Sequence, residues 1–267
     1  MPNPVNVALI SDGNDVTGAC NTIQSALLKS DAVAIHVIDM GLSEAQATQL
    51  RRLSPRLQVV AVAPALRAWL EYFSPHGFPH VSRAAYTKLL LHRLLPDIDK
   101  LIYLDTDTVI LADLADLFAI DLGTDFLGAT WTRTQVDAGR LRLGLGQRYF
   151  NSGVMLCNLK MWRDETVESQ FVEWYEMNRS RMKFNDQEIL NGVFDGRNLE
   201  IGKRWNVAQA EVFGAMPPIA VKVKDIAILH FNGARKYWHA DYESGVVRNF
   251  ELFSKIRQLL AETSAVG

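Results

Sequence analysis

The sequence predicts an α/β fold built on a parallel sheet, and two observations carry that prediction. Strand-length apolar runs alternate regularly with helix-length segments through the first half of the chain, and those runs are apolar almost without interruption. Residues 5–10 read as a buried strand, 15–30 as a helix with apolar residues at helical spacing, and 33–38 as a second strand. Residues 43–53 follow as a helix for which Ser43 is the expected cap, and 57–62 as a third strand. A β-α-β-α-β series of this kind belongs to a sheet covered on both faces by helices. In such sheets ligands gather at the carboxyl ends of the strands.

Beyond Pro64 the pattern loosens, and residues 74–79, with Pro75, Gly77 and Pro79, form a breaker-rich loop. A strong helix is expected over 82–95, ended by Pro96, and a short apolar strand over 100–104 runs straight into Asp105-Thr106-Asp107. Residues 153–157 read as another strand, and 159–179 as one long amphipathic helix with Trp162 and Trp174 facing the core. Residues 226–229 give one more strand, terminated by His230. Internal repeats, low-complexity tracts and interdomain linkers are absent from the sequence.

With 267 residues, 48 % of them hydrophobic, the chain can bury a substantial core, which excludes disorder as its main state. Thirty acidic side chains against 28 basic ones give a formal charge of −2, so there is no global field for nucleic acid or an anionic membrane. Any positive charge that binds phosphate must be local. Cys20 and Cys157 sit in apolar surroundings and read as buried thiols of a protein in a reducing compartment. The first four residues lack a basic region, and the apolar stretch at 59–66 is far shorter than the roughly 18 residues of a membrane span. Residues 249–260 carry only Lys255 and Arg257 as cations, which is no polybasic anchor. A cytoplasmic location is the expectation.

Asp105 and Asp107 lie one residue apart where a buried strand ends, so in extended backbone they point the same way. Two carboxylates held together call for a cation between them, and a divalent metal is the chemical reading; solvated turn aspartates are the alternative. His230 also follows an apolar strand. An imidazole with two carboxylates suits Mn²⁺, although a lone strand-end histidine also serves as an ordinary structural residue. Gly233 permits close backbone approach to a ligand, and Lys236 supplies a compact positive charge for phosphate. Together these residues describe a metal-bridged diphosphate clamp.

Four strings then carry a resemblance: LIYLDTDTVI at 101–110, YFNSGVMLCNLKMWR at 149–163, NDQEILN at 185–191 and HFNGARKYW at 230–238. In this order they resemble glycosyltransferase family eight, which includes glycogenin and bacterial lipopolysaccharide galactosyl- and glucosyltransferases. The resemblance extends from Val5 to Trp238. It implies a GT-A fold, in which a Rossmann-like nucleotide-binding sheet is part of a mixed central sheet. It also implies one catalytic domain over 1–267, with a nucleotide-sugar half at 1–120, an acceptor half at 121–240 and a C-terminal helix at 241–267. The implied activity is retaining transfer of a hexose, from UDP-glucose or UDP-galactose, to a hydroxyl of a saccharide or glycoconjugate. Mn²⁺ is the implied cofactor, with Mg²⁺ as its substitute.

Carried over residue by residue, the family's metal ligands fall on Asp105, Asp107 and His230, and its diphosphate contacts on Gly233 and Lys236. Asp12 and Asn14 resemble its nucleotide-binding loop, with an ordinary Asx turn as the alternative. Asn151, Asp186 and Gln187 match positions around the transferred sugar, and Asp186 alternatively caps the helix that follows. Lys88 stands where many relatives place a donor-facing arginine and loses its planar fork. Asp15, Thr132 and Tyr237 replace a frequent tyrosine, an aspartate and a proline. Gln187, an amide, is a poor nucleophile, which favours front-face transfer over double displacement.

Two other functions are compatible with parts of this pattern: a nucleotide-sugar-binding protein without transferase activity, and a haloacid dehalogenase-type phosphatase using the D-x-D-x-V string. The second lacks the later Gly-Asp pair that its magnesium site needs. Trp131, Trp205 and Tyr237 are candidates for stacking on sugar rings, against the more ordinary role of core packing.

Overall fold

The computed structural model describes residues 4–14, 16–75, 83–132, 136–146, 148–213, 221–234, 236–239, 242, 254–258 and 261. The alternation read from sequence appears at its start as β1 (Val5–Ser11), α1 (Val16–Lys29), β2 (Val33–Asp39), α2 (Glu44–Arg51) and β3 (Leu57–Ala61). Ser43 does cap α2: its side chain accepts from the Gln46 backbone N–H while the Gln46 side chain accepts from the Ser43 N–H. A further helix, α3 (Pro64–Leu70), follows, with Pro64 in its first turn, where the missing N–H costs nothing.

Where one helix is expected over 82–95, the chain instead forms a 3-10 helix, Arg83–Leu90, followed by a single turn, α4 (Leu91–Leu94); residue 82 lies outside the described residues. Residues 86–91 are all buried, against β1, α3 and α9 (Asn185–Val193), so this segment has no solvent face and no single apolar stripe. The strand at 100–104 is β4 (Lys100–Leu104). It is followed by β5 (Thr108–Ile110), α5 (Leu114–Phe118), β6 (Leu127–Trp131), α6 (Val136–Leu143) and β7 (Phe150–Asn158).

The long helix expected over 159–179 is broken into α7 (Leu159–Asp164) and α8 (Val167–Asn178). Thr166 breaks it in a left-handed conformation, with φ 45°. The reason lies in the phase of the apolar positions. Leu159 and Trp162 are buried in α7, and Val167, Phe171, Tyr175 and Asn178 in α8. The step of five from Trp162 to Val167 moves an unbroken helix well off its stripe, and the break resets it. Trp162 is fully buried and donates its indole N–H to Phe126 O; Trp174 is half-buried against the same core. The rest of the chain adds β8 (Asn198–Glu200), β9 (Val207–Ala208), α10 (Gln209–Val212) and β10 (Ile228–His230). Of the C-terminal segment expected to be helical, residues 254–258 form a helix and most of the remainder lies outside the described residues.

The main sheet has seven strands in the order β3-β2-β1-β4-β7-β6-β8. All its pairings are parallel except those of β7, which runs antiparallel to both β4 and β6, so the sheet is mixed. Both faces are covered. Along β4, Leu101 and Tyr103 enter one core cluster while Ile102 and Leu104 enter the other. Double-sided burial is why these strands read as continuous apolar runs. A second, three-stranded sheet, β5-β10-β9, stands beside the first. Its β5 is tied to α1, where Thr22 Oγ1 donates to Thr108 O (2.7 Å) and Ser25 Oγ accepts from Ile110 N–H (3.1 Å). Both cysteines are buried and free, and burial pushes their thiols above the ordinary value. Among the described residues no helix is long and apolar enough to cross a membrane.

Helix α9, which carries two of the predicted site residues, is seated through Gly192. A Cβ at that position would lie 1.9 Å from the Trp174 ring. Gly192→Ala is therefore expected to destabilise the fold by about 1–3 kcal/mol, the range for overpacking a close-packed contact. The measurement is the melting temperature; one equal to wild type would show that α8 and α9 are not held in fixed contact.

Candidate functional site

The two sheets meet where β4 ends. Residues 105–107 leave the main sheet at Leu104 and enter the small one at Thr108, so Asp105 and Asp107 stand between them. The register of the small sheet brings His230 opposite Thr108, and Phe231 N–H bonds to Asp107 O at 2.8 Å. Because β7 is antiparallel to β4, its first residues lie at the carboxyl end of β4, and Asp105 N–H bonds to Gly153 O at 2.8 Å. Asn151 and Ser152 arrive at the same edge by this reversal.

These elements border a cleft of about 780 Å³. The eleven residues assigned from sequence to metal, donor or catalysis all line it: Asp12, Asn14, Lys88, Asp105, Asp107, Asn151, Asp186, Gln187, His230, Gly233 and Lys236. Asp12 does form the Asx turn, its Oδ1 accepting from Asn14 N–H at 3.1 Å. Asp15 lies outside the described residues. Trp131, Trp205 and Tyr237 are not among the lining residues. Trp205 and Tyr237 are buried, Tyr237 against Phe231 and Trp238, and Trp131 lies under the Arg148 guanidinium.

At the centre, one ligand atom from each of Asp105, Asp107 and His230 lies within 4.8 Å of the others. His230 Nε2 is 3.0 Å from Asp107 Oδ1 and 3.7 Å from Asp105 Oδ2. Asp107 Oδ1 is buried and accepts no hydrogen bond, despite that short distance to the ring nitrogen. A buried carboxylate oxygen without a donor, facing an imidazole nitrogen and a second carboxylate, is an arrangement a divalent cation completes. The oxygen and nitrogen donor set also fits such an ion. Gly153 forms the wall of this cluster: a Cβ there would lie 2.1 Å from His230 Cε1 and 2.8 Å from Asp105 Oδ2.

Charge around the cluster is balanced by two lysines. Lys88, 5 % exposed, places Nζ 3.0 Å from Asp105 Oδ1 and 3.1 Å from Asp186 Oδ2. Burial disfavours its charge, but the two carboxylates outweigh burial and hold its pKa above the ordinary lysine value. Lys236 Nζ meets Asp107 Oδ2 at 2.5 Å and Phe231 O at 2.8 Å. Burial opposes the Asp107 carboxylate, yet His230 and Lys236 hold its pKa well below the usual aspartate range. Burial keeps the Tyr103 phenol far above its usual pKa, so it remains the donor to Asp105 Oδ1 at 2.8 Å.

Asp186 lies in the first turn of α9, but its carboxylate does not serve as a cap: Oδ2 faces Lys88 and accepts from Ser152 Oγ at 3.0 Å. Gln187 is held at both ends of its amide. Its Oε1 accepts from Asn151 Nδ2 (3.0 Å) and Ser152 N–H (3.2 Å), and its Nε2 donates to Tyr149 Oη (3.0 Å). Asn151 Oδ1 in turn accepts from Gly153 N–H (3.0 Å) and Asn206 Nδ2 (2.9 Å).

Sequence reasoning did not single out Tyr103, Tyr149, Ser152 or Asn206. Tyr103 was within reach, because it stands two residues before Asp105 and so shares its side of the strand. Tyr149 and Ser152 lie inside the second of the four strings, whereas Asn206 follows a short 3-10 helix with no periodic or motif signal.

Comparison with known proteins agrees with this architecture. The family model described as glycosyl transferase family 8 matches residues 6–242. A Haemophilus influenzae protein named as a glycosyltransferase is 29 % identical over 214 residues, 78 % of this chain and 64 % of its own length. The Escherichia coli lipopolysaccharide 1,2-glucosyltransferase is 28 % identical over 169 residues, 59 % of this chain and 50 % of its own. The chain thus spans under two thirds of the length of these curated relatives. Among solved structures, the galactosyltransferase LgtC, crystallised with donor and acceptor sugar analogues, superposes with a TM-score of 0.81 at 26 % identity. That match covers 97 % of this chain and 96 % of LgtC. The GT-A fold expected from the four sequence strings is therefore the one observed, and the chain belongs to glycosyl transferase family 8.

Proposed function

We propose that the protein is a metal-dependent retaining hexosyltransferase, moving glucose or galactose from its UDP-sugar to a hydroxyl of a saccharide or glycoconjugate. The observation that carries this reading is the convergence of Asp105, Asp107 and His230 on the cleft, beside the Lys236 ammonium. Asp105, Asp107 and His230 are assigned as the ligands of Mn²⁺ or Mg²⁺. A divalent ion there would offset the negative charge that gathers on the diphosphate as the sugar departs.

The chain's own residues supply the rest. Lys236 and the backbone at Gly233 are assigned to the diphosphate, with Lys236 exchanging its contact with Asp107 for a phosphate oxygen. Asp12 and Asn14, at the end of β1, are assigned to the nucleoside, consistent with ligand placement at the carboxyl edge of such sheets. Asn151, Lys88 and Asp186 are assigned to the donor side, with Asp186 holding sugar hydroxyls. Gln187 is proposed to face the anomeric carbon. Its amide is fixed by three hydrogen bonds and is a weak nucleophile, so it stabilises developing positive charge rather than forming a lasting bond. The acceptor then attacks on the face the diphosphate leaves, and a diphosphate oxygen takes the acceptor proton.

UDP is expected to bind much more tightly with Mn²⁺ than with chelator, and Asp107→Asn to remove most turnover while leaving the fold intact. Calorimetry and UDP release measure these, and full turnover in excess chelator would overturn the metal assignment. Lys236→Ala is expected to lose about 2 kcal/mol or more of transition-state stabilisation, roughly 30-fold in kcat/KM. A wild-type value would show that other groups hold the diphosphate.

The stereochemical expectation is an α-linked product from an α-linked donor, read from the anomeric proton coupling by NMR. Gln187→Ala should slow transfer strongly without abolishing it, because an electrostatic stabiliser supplies part of the barrier reduction. A β-linked wild-type product would exclude the front-face pathway.

A further inference from the structure

We propose that Asn206 is a positioning residue that fixes the ring of His230 with Nε2 turned to the metal cluster and ties it to Gln187. The proposal rests on the reading of Asp105, Asp107 and His230 as metal ligands. Asn206 is 4 % exposed and does not line the cleft, so it acts through other side chains.

The argument follows the direction of each hydrogen bond. Two backbone N–H groups of β7 set the starting orientations. Ser152 N–H can bond only to an oxygen, which fixes Oε1 of Gln187 toward β7, and Gly153 N–H fixes Oδ1 of Asn151 in the same way. Asn151 Oδ1 thus being an acceptor, the Asn206 atom 2.9 Å away must be its Nδ2 donor. The other end of the Asn206 amide is then Oδ1, which only accepts, and it lies 3.0 Å from His230 Nδ1. The proton of that contact therefore belongs to His230 Nδ1. In the neutral ring the lone pair is left on Nε2, the nitrogen that faces Asp105 and Asp107.

Ring orientation and amide orientation are thus one arrangement. A flip of Asn206 would set two oxygens against each other at Asn151 and turn an amide donor to His230 Nδ1, which would draw the ring proton to Nε2 and take the lone pair away from Asp105 and Asp107. Since Asn151 Nδ2 also donates to Gln187 Oε1, the same amide links the metal-ligating histidine to the glutamine proposed to face the anomeric carbon.

The test is to measure Mn²⁺ affinity in the presence of saturating UDP, by electron paramagnetic resonance, beside kcat at saturating Mn²⁺ and donor. Wild type is compared with Asn206→Leu and Asn206→Asp, each checked for folding by circular dichroism. Asn206→Leu removes the acceptor from His230 and is expected to weaken Mn²⁺ about 10- to 100-fold, as loss of an outer partner does. Asn206→Asp keeps an acceptor for Nδ1–H but loses the donor to Asn151. It is expected to hold Mn²⁺ within about threefold of wild type, while kcat falls about tenfold or more through misplacement of Asn151 and Gln187. A merely structural role would move both quantities together in both variants. Wild-type Mn²⁺ affinity in folded Asn206→Leu overturns the proposal, and so does an Asn206→Asp variant that loses Mn²⁺ affinity as far as Asn206→Leu. Should Asn206→Leu not fold, the split between affinity and kcat in Asn206→Asp decides. A wild-type protein that binds no Mn²⁺ at all instead removes the underlying ligand assignment, before any variant is compared.

Discussion

The cleft is organised by the need to hold three carboxylates, Asp105, Asp107 and Asp186, at close quarters and largely out of water. Such a group is stable only if each charge has a partner, because an unpaired buried carboxylate is strongly disfavoured. Lys88 lies between Asp105 and Asp186, and Lys236 against Asp107. Two ammonium groups thus serve three carboxylates, and Lys88 is shared by two of them. The buried oxygen of this group that finds no hydrogen-bond donor is Oδ1 of Asp107. Lys88 therefore does more than line the cleft. By occupying Oδ1 of Asp105 together with Tyr103, it leaves Oδ2 as the oxygen turned to His230.

The scaffold makes this balance geometrically reproducible. β7 is the strand on which this arrangement depends, since its reversal carries Asn151, Ser152 and Gly153 to the carboxyl end of β4. Its backbone then orients the amides of Asn151 and Gln187, while Gly153 leaves room for the imidazole. The small sheet performs the matching task for His230, whose position follows from pairing with Thr108 on one side and Ala208 on the other.

Much of this was legible in the sequence wherever one local signal sufficed. The first three strands are continuous apolar runs, the two helices between them are periodic with Ser43 as the cap of the second, and Asp105 and Asp107 follow a buried strand by two-residue spacing. The four strings carried the family and the fold. What escaped was set by tertiary contact. The segment at 83–90 is helical but buried throughout from Tyr86 to Leu90, so its pattern gave no hint of 3-10 geometry. The break at Thr166 reflects a phase slip of the apolar stripe, visible only when Trp162 and Val167 are required to meet one core. Asn206 could not be found, because its meaning arises from where β9 brings it beside β10 and β7. Nothing in residues 203–207 as a string announces that.

The hydroxyls of Thr22 and Ser25 also decide what the outer edge of β5 can pair with. β5 is only three residues long, and β10 occupies one of its edges. On its other side, the backbone groups of Thr108 and Ile110 bond to those two α1 side chains. Left open, such an edge would be a template for pairing with a strand of another molecule, the usual route to edge-to-edge aggregation. Here a helix closes it with side chains rather than backbone, so the small sheet cannot grow at its β5 edge. The strand that follows the 105–107 loop is thereby spared a competing partner on its α1 side, by the same two bonds that hold it to the helix.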